Sequence, residues 1–309
     1  MKERLFKSKH NYTWKQWVFY FAVLALPILQ FLIFYVYVNA NSILFSFQTY
    51  NMKQGEFQWN NDIFYNFKQV FDTIEKTQYL RNSFKNAFIV LFAKLAVGTT
   101  FALLFSYYIF KKRLGAELFK TFLFLPSIIS PVCLVIIFTY LADKAVPAAA
   151  TLLGYEMNGL LTYLDALFPT LLIYALYMGF GYQVLLYSGA MSGVSQSTLE
   201  AATLDGANAL QEFIYVVLPG VWGTFTTFIV VQFASMFTEQ MNLFSFYGGA
   251  APYDTQTVGY YLYVQAQTNT NVYTEYPVLA AFGLLLTVIT LIVTLLVKKL
   301  LSKVGPHEE

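Results

Sequence analysis

The chain has 309 residues, 57% of them hydrophobic and only 12% charged, with a mean hydropathy of +0.52. A soluble domain is nearer a quarter charged, so this composition indicates a membrane protein, and a net charge of +2 offers nucleic acid no basic surface. Cys133 stands alone in an apolar run, which excludes a disulfide framework, and His10 and His307, near opposite ends, have no neighbours that would make either one a metal ligand or a base.

In chain order, residues 1–16 form a basic tail. The apolar run after it is longer than a signal-peptide core and no small-residue cleavage site follows promptly, so a retained first helix is expected. A spanning helix needs roughly 20 apolar residues. Six runs qualify, at about 17–38, 87–110, 119–141, 167–187, 219–237 and 278–296, giving an all-α polytopic membrane domain over 17–301 and a short tail at 302–309. Basic residues set the orientation. Lys2, Arg4, Lys7, Lys9 and Lys15 fall on one side with Lys111, Lys112, Arg113, Lys120, Lys298, Lys299 and Lys303. The opposite loops, about 39–86, 142–166 and 238–277, are longer yet hold only Lys53, Lys68, Lys76, Arg81, Lys85 and Lys144. Both termini are therefore expected in the cytoplasm.

The connection at 188–218 breaks this pattern, with no Lys or Arg and with Glu200, Asp205 and Glu212. In "SQSTLEAATLDG", Ser197 is expected to cap a short helix with Glu200 at N3, and Gly206 to end it in a left-handed conformation. Leu199, Ala202, Thr203 and Gly206 share one mostly small face. Asn208 then caps a second helix, with Gln211 at N3 and Leu210, Phe213, Ile214 and Val217 on one apolar face, before Pro219 opens the fifth span. Two readings fit: an interfacial hairpin that merely links two spans, or a segment folded to meet another protein. Interfacial helices usually carry basic residues on the polar face, and this one carries acids.

Glu200-Ala201-Ala202, Gly206 and Leu218-Pro219, with Asp205-Gly206-Ala207 between them, resemble the EAA loop of permease subunits of bacterial ABC importers. "NFKQVF" at 66–71, "FLFLPSIISPV" at 122–132 and "FYGGAAPYDTQTVGYYLY" at 246–263 extend the resemblance through most of the chain, which looks most like the first permease of maltose and multiple-sugar systems. Two departures stand out: Pro252 is shifted from its usual place, and "VSQSTL" replaces the Pro-Lys pair that often precedes the EAA element. The resemblance implies a type I importer permease fold in a bacterial cytoplasmic membrane. It implies a second permease, two ATPase subunits that use ATP and Mg, an extracellular solute-binding protein and a sugar substrate. It also implies that Glu200, Ala201, Ala202, Asp205, Gly206, Ala207 and Pro219 form a coupling helix and its exit, docked in a cleft of the ATPase.

No G-x-x-x-x-G-K-[ST] occurs, so no ATPase site is expected in this chain, and no catalytic triad, paired-acid or metal arrangement is visible in the spans. Lys94 is the one clear charge inside a span, free either to snorkel or to pair in the bundle interior, and a structural role is favoured. Gln232, Ser235 and Glu239 recur on one side of the fifth span near its outer end, followed by Gln240 and Asn242, while the fourth carries Tyr174, Tyr177 and Gln183. Amides, hydroxyls and rings suit a sugar path, though each could equally join helix to helix or sit as an interfacial anchor. Rival functions are a secondary carrier or channel, opposed by the lack of an acid within the spans, and a scaffold that anchors an ATPase without a path of its own.

Overall fold

The computed structural model describes residues 13–268 and 272–305. Both histidines and most of the basic N-terminal tail lie outside them. Among the described residues five helices are long and apolar enough to cross a membrane, and a bent pair, counted as one span, brings the number to six.

The first span, Trp14–Phe45, runs beyond the expected 17–38 at both ends, and none of its most apolar stretch is buried by the rest of the chain. Such a surface is stable only with apolar neighbours, which the acyl chains of a bilayer supply. The connection that follows contains a feature absent from the all-helical expectation. Gln48–Asn51 and Glu56–Trp59 pair as an antiparallel hairpin, turned at Gly55 with φ +70°. Fully buried Asn66 donates to the carbonyls of Ser46 (2.9 Å) and Gln48 (2.8 Å), fixing helix Tyr65–Lys76 to the hairpin's base.

The second span, Gln78–Phe110, starts nine residues before the expected 87 and contains a π-helical turn at Lys94–Gly98. The third departs most from expectation. The run at 119–141 is two pieces: a short helix Ala116–Phe124 that tightens at Leu125–Ser127, and a spanning helix Pro131–Leu152. Two prolines cause the break. Ser130 is held extended (φ −55°, ψ 132°) by the ring that follows it, and Pro131 then occupies the first helical turn, where its missing N–H costs nothing. The short helix lies backbone to backbone on the fourth span, Leu164–Met191: a Cβ at Gly181 would stand 2.4 Å from the Leu123 carbonyl oxygen.

The fifth span comprises Ala209–Gly220 and Trp222–Ala234, bent by 75° at Val221. The sixth, Tyr276–Val304, stays helical into the residues expected to form the C-terminal tail. Three apolar clusters hold the bundle. One gathers Val184, Tyr187, Met191, Leu199, Phe213 and Val217 where the 188–218 connection meets the spans. A second joins Leu80 and Ala87 to Ala281, Phe282 and Leu286. The third packs Leu167 and Leu171 on Met241, Leu243 and Tyr260.

Candidate functional site: an acidic loop and a polar cavity

The 188–218 connection folds as two short helices with a tight reversal between them. The first, Gln196–Leu204, is preceded by Ser195 and not by Ser197. The expected Ser197/Glu200 capping box does not form: Ser197 Oγ lies 2.7 Å from Ser195 Oγ, and Glu200 Oε1 accepts from Gln196 Nε2 at 3.2 Å. The shift is small because either serine suits the extended backbone at a helix start. The helix ends as expected. Gly206 has φ +77°, Ala207 N–H donates to Ala202 O (3.0 Å) and Gly206 N–H to Thr203 O (3.1 Å), a Schellman closure that satisfies carbonyls a helix end leaves bare. The second cap also forms: Asn208 Oδ1 accepts from Leu210 N–H (3.1 Å) and Gln211 N–H (3.0 Å), and Gln211 Oε1 accepts from Asn208 N–H (2.9 Å).

The expected face divides: Leu199 is buried and Ala202 half-buried, whereas Thr203 and Gly206 are exposed. Glu200, Ala201, Asp205 and Leu204 are exposed, the last at 87%. The second face divides: Phe213 and Val217 are buried, whereas Leu210 and Ile214 are exposed. Pro219 lies half-buried in the last turn before the bend at Val221. Glu212 behaves differently from its neighbouring acids. It is buried, and Lys111 Nζ, at the end of the second span, donates to Oε1 (2.8 Å) and Oε2 (3.1 Å). The Tyr107 hydroxyl lies 3.1 Å from Glu212 Oε1 and 3.1 Å from Ala209 O, and its ring packs on Phe213 with centroids 5.1 Å apart. In sequence Lys111 reads as an orientation signal only, and its second role emerges from the fold, which brings it to Glu212 across 101 positions.

Away from the acidic loop the second, fourth and fifth spans line a cavity of about 250 Å³. Lys94, Gln183, Gln232, Ser235 and Glu239 line it together with apolar residues that include Val90, Leu176 and Phe228. Four of the eight expected path residues thus converge, joined by Lys94. The lysine is not a lone charge, since its ammonium pairs with Glu239 Oε2, and the two side chains keep 24% and 26% of their exposure. Of its two options, snorkelling or pairing in the interior, it takes the second, with a partner that follows the fifth span and stands 145 positions away in sequence. Glu239 Oε1 accepts from Met241 N–H (2.9 Å) and its carbonyl from Thr257 Oγ1 (2.6 Å), so the residue is held at both its side chain and its backbone. Gln232 donates through Nε2 to Thr99 Oγ1 (3.0 Å), and its Oε1 has no protein partner.

The other four take different places. Tyr177 lines a separate apolar cavity with Phe101, Phe105 and Ile137. Tyr174 is fully buried between Phe138 and Phe246, and its hydroxyl accepts from Asn242 Nδ2 at 3.3 Å, so these two residues join the fourth span to the segment after the fifth. Gln240 contributes its carbonyl to a turn, accepting from Leu243 N–H (2.9 Å), and does not line the cavity.

The Gly-Gly-rich loop that follows the fifth span is tied to the helices around it. Tyr260 donates to Gly248 O (2.8 Å) and accepts from Ala251 N–H (3.0 Å), while Asn86 of the second span donates to the carbonyls of Asp254 (2.7 Å) and Gln256 (2.9 Å). A Cβ at Gly259 would stand 2.6 Å from the Thr238 carbonyl carbon, so only glycine lets the helix Val258–Thr268 lie against the backbone that carries Glu239. Among the described residues no group of three or more His, Cys, Asp or Glu side chains could hold a metal ion.

Comparison with known proteins adds three relatives and two structures. The chain is 28% identical over 155 residues to the alpha-glucoside transport system permease protein AglF of Rhizobium meliloti (strain 1021), covering 47% of this chain and 45% of that one. It is 25% identical over 192 residues to the multiple sugar-binding transport system permease protein MsmF of Streptococcus mutans, covering 61% and 64%. It is 25% identical over 202 residues to the sn-glycerol-3-phosphate transport system permease protein UgpA of Yersinia pseudotuberculosis, covering 64% and 67%. The chain thus spans less than two thirds of the first two relatives' lengths. Its fold is similar to that of a chain of a bacterial ABC transporter involved in the import of the acidic polysaccharide alginate, with TM-score 0.77, 19% identity and coverage of 94% of this chain and 97% of that one. A bacterial alginate ABC transporter in complex with an alginate pentasaccharide-bound periplasmic protein gives TM-score 0.73 at 18% identity, over 92% and 93%. The family model for the binding-protein-dependent transport system inner membrane component matches residues 95–305, from the edge of the cavity through the acidic loop to the end of the last span, and the chain belongs to that family.

Proposed function

We propose that this chain is a permease subunit of an ATP-driven importer of sugars, oligosaccharides in particular, that forms its substrate path with a second permease. Two ATPase subunits engage the acidic loop and supply the ATP and Mg chemistry, and an extracellular binding protein delivers the sugar to the opposite face. One observation carries the reading. The loop is built rigidly, by a Schellman closure and a capping box, yet turns Glu200, Ala201, Leu204 and Asp205 outward. Rigid geometry joined to outward-facing acids and an exposed leucine suits a protein cleft better than anionic lipid. With the loop and Lys111 and Lys112 facing the cytoplasm, both termini lie there as well. ATP-driven closure of the ATPases pushes the loops of the two permeases together and turns the path outward; hydrolysis resets it.

The sugar class is supported by the names of two relatives and by the cavity's mixed donors and acceptors, Gln183, Gln232, Ser235, Lys94 and Glu239. The carrier reading gains one observation, since Glu239 is an acid facing the cavity. Uptake in cells depleted of ATP with the membrane potential maintained separates the two. The importer stops taking up its sugar there, whereas sustained uptake refutes ATP drive.

A further inference from the structure

The loop without Lys or Arg takes its cation from another element. Of its three acids only Glu212 is buried, and both of its carboxylate oxygens accept from Lys111. Tyr107, one helical turn before Lys111 on the same face, meets Ala209 O and Phe213 from the same short segment. The loop therefore grips the end of the second span through an ion pair, a hydroxyl and a ring. That span runs on, held to the fourth span where Ser106 Oγ donates to Val184 O (3.1 Å), and reaches the cavity at Lys94. At 1.5 Å per residue Lys94 and Lys111 are about 25 Å apart along the helix. Lys94 is itself paired to Glu239, which belongs to a different element. A shift of the second span of an ångström or two, of the kind packed helices make, is enough to open such a pair.

We infer that the second span is the lever that carries movement of the loop to the cavity, with Lys111 and Glu212 as the positioning residues that fasten loop to lever. The inference rests on the reading of the loop as the ATPase contact. A pair that only anchored the loop would affect assembly; a fastening also sets how much transport each ATP yields.

The test uses the complete importer (both permeases, the ATPases and the binding protein) in vesicles, with the sugar that stabilises the binding protein in a thermal-shift screen. Sugar moved per ATP hydrolysed is measured for wild type, Lys111→Met, Glu212→Gln, Lys111→Arg and the exchange Lys111→Glu with Glu212→Lys. Basal ATP hydrolysis stays within about twofold of wild type throughout, because the pair lies outside the ATPase. The transport yield falls at least fivefold in Lys111→Met and Glu212→Gln, and returns to within about twofold in Lys111→Arg and in the exchange. Unchanged yield in the two single variants overturns the lever. So does an exchange as poor as the singles, or a fivefold fall in Lys111→Arg. A wild-type complex whose uptake does not need ATP refutes the docking reading itself, and the lever with it.

Discussion

Separating Lys94 from Glu239 tests the centre of the cavity. Breaking a fully buried ion pair by removing one partner costs about 3–5 kcal/mol, because the remaining charge is stranded. Here both side chains keep about a quarter of their exposure, so roughly half that figure is appropriate, about 2 kcal/mol for Lys94→Met. That change leaves the Glu239 carboxylate with backbone donors alone, the Met241 N–H among them. Glu239→Gln costs less, about 1 kcal/mol, since an amide oxygen still accepts from the lysine. The double variant removes both charges and is expected within about 1 kcal/mol of wild type. Reversible unfolding of the purified complex in mixed micelles with rising SDS, followed by helix content, reads all four proteins. The signature is non-additivity: the double variant is more stable than Lys94→Met alone. Single variants as stable as wild type, or a double variant that loses the sum of both, would refute the pair as an energetic unit.

Gly206 holds φ +77°, and a side chain placed there would meet nothing within 4 Å of its Cβ, so substitution is opposed by backbone conformation alone. Gly206→Asn is expected to keep binding-protein-stimulated ATP hydrolysis, because Asn tolerates the left-handed region, whereas Gly206→Val strains the turn by about 1–3 kcal/mol and uncouples it without blocking membrane insertion. Asn86→Leu removes the donor to two outer-loop carbonyls. The buried Gln256 carbonyl loses about 1–3 kcal/mol of satisfaction, and limited proteolysis is expected to cut residues 248–257 several-fold faster than in wild type.

Most features that depend on a few adjacent residues were legible in the sequence, the Ser197/Glu200 capping box excepted. Asn208 with Gln211 and the Gly206 reversal form as their spacing indicates, because a cap needs only the residues it closes. Apolar runs place the spans but not their ends, since hydropathy does not register helix that continues past the apolar run, as at Gln78 and Val304. The third span was misplaced because Pro126 and Pro131 lie inside one continuous apolar run: composition joins what the rings divide. In the cavity, Gln183, Gln232, Ser235 and Glu239 were legible as polar residues on apolar helices, and Tyr174 and Asn242 were equally polar but satisfied each other. Neither Lys94–Glu239 nor Lys111–Glu212 could be read from local pattern, because each partner lies more than a hundred positions from the other and only the folded bundle brings them together.

The π-helical turn at Lys94–Gly98 makes the register of the second span a matter of residue count as well as residue type. Such a turn holds one residue more than the α-helix it interrupts. Deleting one of the five lets the wide turn close to a regular α-helical one, and the halves of the span on either side keep their relative rotation with almost no change in length. A single deletion between this turn and Lys111 has no such slack and turns the two lysines by about 100° against each other. A one-residue gap inside the turn in a homologous chain is therefore compatible with the same cavity and the same loop contact, whereas a gap beyond it is not.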